Sequence, residues 1–263
     1  MPDFKNKYGD GFVIVTGGSS GIGFSFAKEI IKLNFKILLI SSSQQKLLKA
    51  KQELEKINSK SKIEILPFNL NQTFDSKTIE DFDKKLTEIL GGEEISVLIN
   101  NAGVITRKYL CDITDDQILS MLNVNMGAVT FITKIVLQKM LKRTSRSLIV
   151  GSGSIMGQFR FPTRSVYGST KSYLEAFYES LKREYGERVD FTDLEIGAVE
   201  TELNKLSMPL KIDSDSFCSN AMEYLGKYNF TTSCLKHEIN ALIIKKLPFI
   251  KDIVCKYFKS KFT

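Results

Sequence analysis

Two side chains in the second half of the chain have the types and the spacing to move a proton. Tyr167 and Lys171 stand four residues apart in YGSTK, so on a helix they share one face. An isolated phenol is a poor acid–base catalyst near neutrality, but an adjacent ammonium stabilises its phenolate. The same pair also fits the exposed surface of an amphipathic helix. A second stretch with chemical potential is VIVTGGSSGIG, Val13 to Gly23. An apolar run ends at Val15, and TGGSSGIG then opens a helical pattern. Glycines allow a tight turn and a close backbone approach to a ligand. The helix N-terminus adds unpaired N–H donors and partial positive charge, which suits a pyrophosphate. Without a ligand, the stretch would be only a glycine-rich turn.

These groups need elements to position them. Short runs rich in Val, Ile, Leu and Phe predict strands at Phe12–Val15, Ile37–Ile40, Ile63–Leu66, Ile95–Ile99 and Ser147–Val150. A sixth, Val189–Ile196, is interrupted by Asp193 and Glu195. Helical patterns cover Gly23–Leu33, Gln44–Ile57, Lys77–Leu90, Asp115–Leu141 and Ser165–Tyr185. Strand and helix alternate throughout, which predicts an α/β fold: a Rossmann-like, doubly wound parallel sheet flanked by helices. With no linker, repeat or low-complexity tract in its 263 residues, the chain reads as one domain, 1–263.

Composition narrows the function classes. The formal charge is +7, but seven lysines against Glu238 and Asp252 put +5 of it in residues 236–263. The remainder is nearly neutral, so no nucleic-acid partner is expected. Cys111, Cys218, Cys234 and Cys255 lie far apart, and His237 is the single histidine, so neither a zinc site nor a disulfide framework is expected. The sequence begins without the apolar segment of a signal peptide and has no run of about 20 apolar residues. A reducing, cytoplasmic setting is the expectation.

Starting from this glycine octet, the chain resembles the short-chain dehydrogenase/reductase family over residues 10 to about 203. The family's other motifs follow in order: Asn100-Asn101-Ala102-Gly103 after the fourth strand, Asn125 in NVNMG, Ser154 after the fifth strand, then Tyr167 and Lys171. The resemblance implies that Tyr167 protonates a carbonyl oxygen as hydride reaches the carbon, and that Ser154 hydrogen-bonds the same oxygen. Lys171 would hold the nicotinamide ribose, and Asn125 would help to anchor Lys171. It further implies cofactor contacts from Gly17, Ser19, Ser20, Gly21, Ile22, Gly23, Asn101, Ala102 and Gly103. At Asn69, followed by Leu70, this chain has an amide where the family usually has aspartate. IGAVETEL matches P-G-x-V-x-T with Ile196 in place of proline, leaving Val199 and Thr201 to meet the carboxamide.

Cofactor choice turns on Ser41, Ser42 and Ser43. An acidic residue there would select NAD. Its absence favours NADPH, with NADH also open, because the arginine of many NADPH-using relatives is missing at Ser42; Lys46 lies one turn on. Residues Glu202 to Phe217, with Met208, Pro209 and Leu210, read as a polar loop at the family's substrate lid. In the tail, Phe249, Ile250, Ile253, Val254, Tyr257 and Phe258 form an apolar stripe opposite Lys251, Lys256 and Lys259. Such a stripe can lie on an anionic membrane or pack on the protein's own core. Ser216-Phe217, Lys236-His237 and Leu247-Pro248 resemble the branch of very-long-chain 3-oxoacyl-CoA reductases and 17-beta-hydroxysteroid dehydrogenases. That branch implies a lipid-like ketone substrate, NADPH and the endoplasmic reticulum membrane. The resulting expectation is an NAD(P)H-dependent oxidoreductase acting on a 3-oxoacyl or related ketone. Alternatives are a small-carbonyl or steroid reductase and, from another class, a silent nucleotide sensor or membrane-surface scaffold. A homodimer or tetramer would form through Asp115–Leu141 and Ser165–Tyr185.

Overall fold

The computed structural model describes residues 2–201, 211–232, 252, 254–257 and 260. Helix α1 (Pro2–Tyr8) precedes strand β1 (Phe12–Thr16), after which strands and helices alternate: α2 (Gly21–Lys32), β2 (Ile37–Ser41), α3 (Gln44–Ile57), β3 (Ile63–Pro67), α4 (Ser76–Leu90) and β4 (Ile95–Asn100). Then come α5 (Asp115–Leu122), a π-helical segment (Asn123–Ala128), α6 (Val129–Met140), β5 (Ser147–Gly151), α7 (Ile155–Phe159), α8 (Ser165–Tyr185) and β6 (Val189–Leu194). Short strands β7 (Val199–Glu200) and β8 (Ile212–Asp213) precede α9 (Ser214–Met222) and β9 (Phe230–Thr231). Seven strands form one parallel sheet in the order β3-β2-β1-β4-β5-β6-β9, while β7 and β8 pair separately.

Alternation along the strands divides the core in two. Val13, Val15, Ile37 and Leu39 pack with α1, α2, α3 and α9 on one face. Phe12, Ile14, Leu38 and Ile40 pack with α4, α6 and α8 on the other. Each fully buried side chain of this size contributes about 1.5–3 kcal/mol. The strand order reverses between β1 and β4, and in an open parallel sheet that reversal leaves a crevice beyond the C-terminal strand ends. The glycine turn after β1 and the Asn100–Gly103 stretch after β4 border this crevice.

Several sequence expectations need correction. The expected helix Asp115–Leu141 is interrupted by the π-helical turn. The expected polar loop up to Phe217 instead contains β8 and the start of α9, and Phe217 is fully buried; residues 202–210 lie outside the described residues. The run Asp115–Met140 is apolar and long enough to cross a membrane; Val129, Ile132, Val136 and Met140 sit in the core, while Leu119 and Leu122 are exposed. Most of the predicted tail stripe, including Phe249, Ile250, Ile253 and Phe258, and also His237, lie outside the described residues. Val254 and Cys255 are described, and they pack against Ile155, Phe159 and Phe161, so this part of the stripe meets the protein itself.

Candidate active site

The glycine turn is built around Thr16, the buried last residue of β1. Its hydroxyl accepts hydrogen bonds from the backbone N–H of Asn101 (3.0 Å) and Ala102 (3.1 Å). The Asn101 amide donates to the Thr16 carbonyl at 3.1 Å, which joins the two loops of the crevice. Gly17 has φ +65°, and a methyl added there would come within 2.9 Å of the Asn101 amide nitrogen. At Gly23 a methyl would press into the same amide and the Gly17 carbonyl. Ser20 precedes α2 without a side-chain cap, whereas Ser43, Asp75, Thr114 and Asp213 cap their helices. The first-turn N–H groups of α2, including those of Gly21, Ile22 and Gly23, thus have no side-chain acceptor at their cap. Thr201 stands beside Gly21, where an added methyl would meet its Cγ2 at 3.4 Å. A glycine cradle with open donors and a helix N-terminus fits the diphosphate of a nicotinamide dinucleotide.

Asn125, Tyr167 and Lys171 are brought together across the crevice from this turn. Asn125 is fully buried in the π-helical turn. Its amide exchanges two 2.9 Å hydrogen bonds with the backbone of Val104 and donates to Thr170 Oγ1 at 3.1 Å. Lys171 is buried, its Nζ donates to the Ser152 carbonyl at 2.6 Å, and it lies 5.6 Å from the Tyr167 ring centroid. A methyl on Gly103 would lie 3.5 Å from Asn125 Oδ1 and 3.7 Å from Lys171 Nζ, so the NNAG stretch passes between the two. The half-buried Tyr167 forms no side-chain hydrogen bond among the described residues. Ser154 caps α7, and its hydroxyl donates to the Ile196 carbonyl at 3.2 Å; no bond joins it to Tyr167.

At the other end of the crevice, Ser19 donates to Ser41 at 3.0 Å. Ser42 and Asn69 are exposed, and Asn69 spends its side-chain oxygen on the N–H of Asn71. Lys46 is exposed, and its backbone N–H is held by Ser43. Leu70 and Val199 turn their side chains into the core, which leaves only backbone atoms for a ligand.

Three charged residues near the site were not legible in the sequence. Arg164, 2% exposed at the start of α8, is lowered to about 10 by burial and then by Arg107, while Tyr167 pulls the other way. Arg107 is lowered by its own burial and also feels Tyr167. An arginine in a loop reads as a solvated charge, so nothing in the pattern marked either. Asp193 is buried in β6 and raised to about 7 by burial, against the pull of Lys171 and the Gly153 N–H. Its only signal was the break it made in an apolar run.

Comparison with known proteins identifies the fold and the family. The chain is 32% identical over 245 residues to a very-long-chain 3-oxoacyl-CoA reductase of Macaca fascicularis, covering 90% of this chain and 75% of that one. It is also 32% identical to putative steroid dehydrogenase 4 of Caenorhabditis elegans, covering 90% of each. Among solved structures, a short-chain dehydrogenase from Sphingobium yanoikuyae in complex with NADPH superposes with a TM-score of 0.76 at 20% identity, over 92% of this chain and 96% of that one. One from Burkholderia phymatum in complex with NAD gives 0.78 at 16% identity, over 90% and 93%. Residues 11–209 match the family model for short chain dehydrogenase, so the chain belongs to the short-chain dehydrogenase family and is an NAD(P)-dependent oxidoreductase.

Proposed function

We propose that the chain uses NADPH to reduce a lipid-like ketone, a 3-oxoacyl thioester or a related compound, to its secondary alcohol. Asn125, Ser154, Tyr167 and Lys171 are its working residues in this reading. The observation that carries it is the buried Lys171 ammonium fixed 5.6 Å from the Tyr167 ring centroid. A cation held there stabilises the phenolate left when Tyr167 gives its proton to the substrate oxygen. Ser154 Oγ turns from the Ile196 carbonyl to donate to that same oxygen and stabilise its developing charge. Asn125 keeps the Val104 loop and α8 in register.

The turn from Gly17 to Gly23 would hold the diphosphate, and Ser41 and Ser42 would meet the adenosine ribose. Asn69 and the Leu70 backbone would border the adenine, while Asn101, Ala102, Gly103, Val199 and Thr201 would border the nicotinamide. When bound, the nicotinamide supplies the hydride. NADPH is favoured over NADH because the serines at the end of β2 place no carboxylate against a 2′-phosphate.

The apolar group Ile155, Met156, Phe159 and Phe161, joined by Val254 and Cys255, lies directly after Ser154 and supports an apolar substrate. The names of the relatives support the same class, with a ketosteroid as the second reading. Exposed Leu119 and Leu122 on α5 support a homo-oligomer.

A ketone panel tests the proposal: 3-oxoacyl-CoAs of increasing length, ketosteroids and small ketones, each with NADPH and NADH. Turnover greatest with NADPH and long acyl chains is expected. Tight NADPH binding without turnover on any ketone would instead indicate a nucleotide sensor. Liposome flotation with and without residues 236–263 tests peripheral membrane contact.

A further inference from the structure

Strand β6 carries a carboxylate at a position buried within the sheet. Asp193 is 3% exposed, and its carboxylate lies against Gly153, where an added methyl would sit 2.6 Å from Oδ1 and 2.7 Å from Oδ2. Gly153 stands between Ser152, whose carbonyl receives the Lys171 ammonium, and Ser154. Asp193 therefore underlies the turn that holds one working residue and carries another.

Three buried side-chain atoms here have no hydrogen-bond partner among the described residues: Asp193 Oδ1, Ser152 Oγ and Asn100 Oδ1. They come from the adjacent ends of β4, β5 and β6, where Asn100 pairs with Gly151 and Gly151 with Asp193. An unsatisfied buried carboxylate oxygen costs stability, and a neutral side chain of the same shape would avoid most of that cost.

We propose that Asp193 is a positioning residue that acts on Lys171 through the Ser152–Ser154 turn: as a carboxylate it holds that turn, and with it the Ser152 carbonyl that receives the ammonium, and on protonation it lets the turn relax. The inference rests on the reading of Lys171 as a working residue. The charges that act on Asp193 come from Lys171 and Glu175 on α8, with neutral Tyr178 against Gly151 and the Gly153 N–H beside the carboxylate. Burial raises Asp193 to about 7, Lys171 and Gly153 oppose that rise, and Glu175 adds to it. Tyr178 is raised by its own burial and stays neutral. The charge of Asp193 thus changes near neutrality, and Lys171 is the cation that feels it.

The test follows Lys171 directly, in protein labelled with carbon-13 at lysine Cε, with the signal assigned by its loss in Lys171→Arg. In the wild-type protein this signal should shift between about pH 6 and about pH 8 as Asp193 titrates. In Asp193→Asn, which keeps the shape and an acceptor but carries no charge, the shift should vanish. A flat Lys171 signal in the wild type, or an equal shift in the variant, overturns the proposal; if the variant does not fold, the wild-type titration decides alone. A clear pH-dependent shift of the Lys171 signal, tracking Asp193, beside a ketone panel without turnover would sink the proposed function and leave this inference standing. With an active ketone, kcat/KM for reduction should fall by up to about tenfold per pH unit below about pH 7, a limb that Asp193→Asn lacks. Superimposable profiles would also overturn it.

Discussion

The two ends of the crevice are held in different ways. Around Tyr167, the polar side chains are buried and fixed by named partners: Asn125 by Val104 and Thr170, and Lys171 by Ser152. Around Ser42 and Asn69 they are exposed, and the end of β2 is tied to the glycine turn by the Ser19–Ser41 bond at 3.0 Å and by the Gly17 N–H donating to the Ile40 carbonyl at 2.7 Å. Proton transfer needs atoms fixed within tenths of an ångström, and burial with satisfied hydrogen bonds supplies that. Holding the outer half of a dinucleotide needs little more than the absence of a wrong charge. In the proposed reading the inner end carries the chemistry, and the outer end is open to changes in cofactor choice.

Substitutions can break or sharpen this contrast. At the inner end, Tyr167→Phe should lower kcat by about 100-fold to 10,000-fold while NADPH affinity changes little; steady-state kinetics beside fluorescence titration would separate the two. At the joint between the ends, Gly23→Ala pushes a methyl into Asn101 and the Gly17 carbonyl. It should cost about 1–3 kcal/mol of stability and weaken NADPH binding, read by urea unfolding and by titration.

Asp193 sharpens the contrast through pH. Because its folded-state value is raised to about 7, folding takes up a proton between the ordinary aspartate range and there. Its stabilising contribution is complete below that range and lost as the pH rises through about 7. Wild-type stability should fall by about 2–3 kcal/mol from about pH 5 to about pH 7, and Asp193→Asn should remove that slope in urea midpoints. The smallest effect belongs to the outer end, where Ser42→Arg should raise the NADPH-to-NADH preference about tenfold in kcat/KM ratios. A large loss of turnover in that variant would show the two ends to be coupled.

The parallel sheet was legible because its central strands are short, apolar and buried on both faces, and the glycine turn because it directly follows the first of them. Spacing put Tyr167 and Lys171 on one helix face without marking them as more than a surface pair, and the resemblance singled them out together with Ser154 and Asn125. The sequence did not show α9, because Ser214–Met222 is a polar stretch whose few apolar residues, Phe217, Cys218, Ala221 and Met222, all face the core. Strand β9 was missed because two residues leave no periodicity to detect. Arg107, Arg164 and Asp193 were hidden for a common reason: a lone charge in a sequence reads as solvated, and only the fold reveals that Arg164 and Asp193 are buried and Arg107 partly so.

The π-helical turn at Asn123–Ala128 has a consequence for how this gene can vary. A wide turn of this kind accommodates one residue more than ordinary helical winding would. Deleting one residue there, other than Asn125, would restore regular winding and leave α5 and α6 nearly in phase, because the wide turn itself takes up the extra residue. The shortened helix would be easier to form and could still pack on the sheet, so the deletant would look like a healthy protein. Its amide at Asn125 would be aimed elsewhere, and loss of a single codon would thus separate folding from function more cleanly than most substitutions.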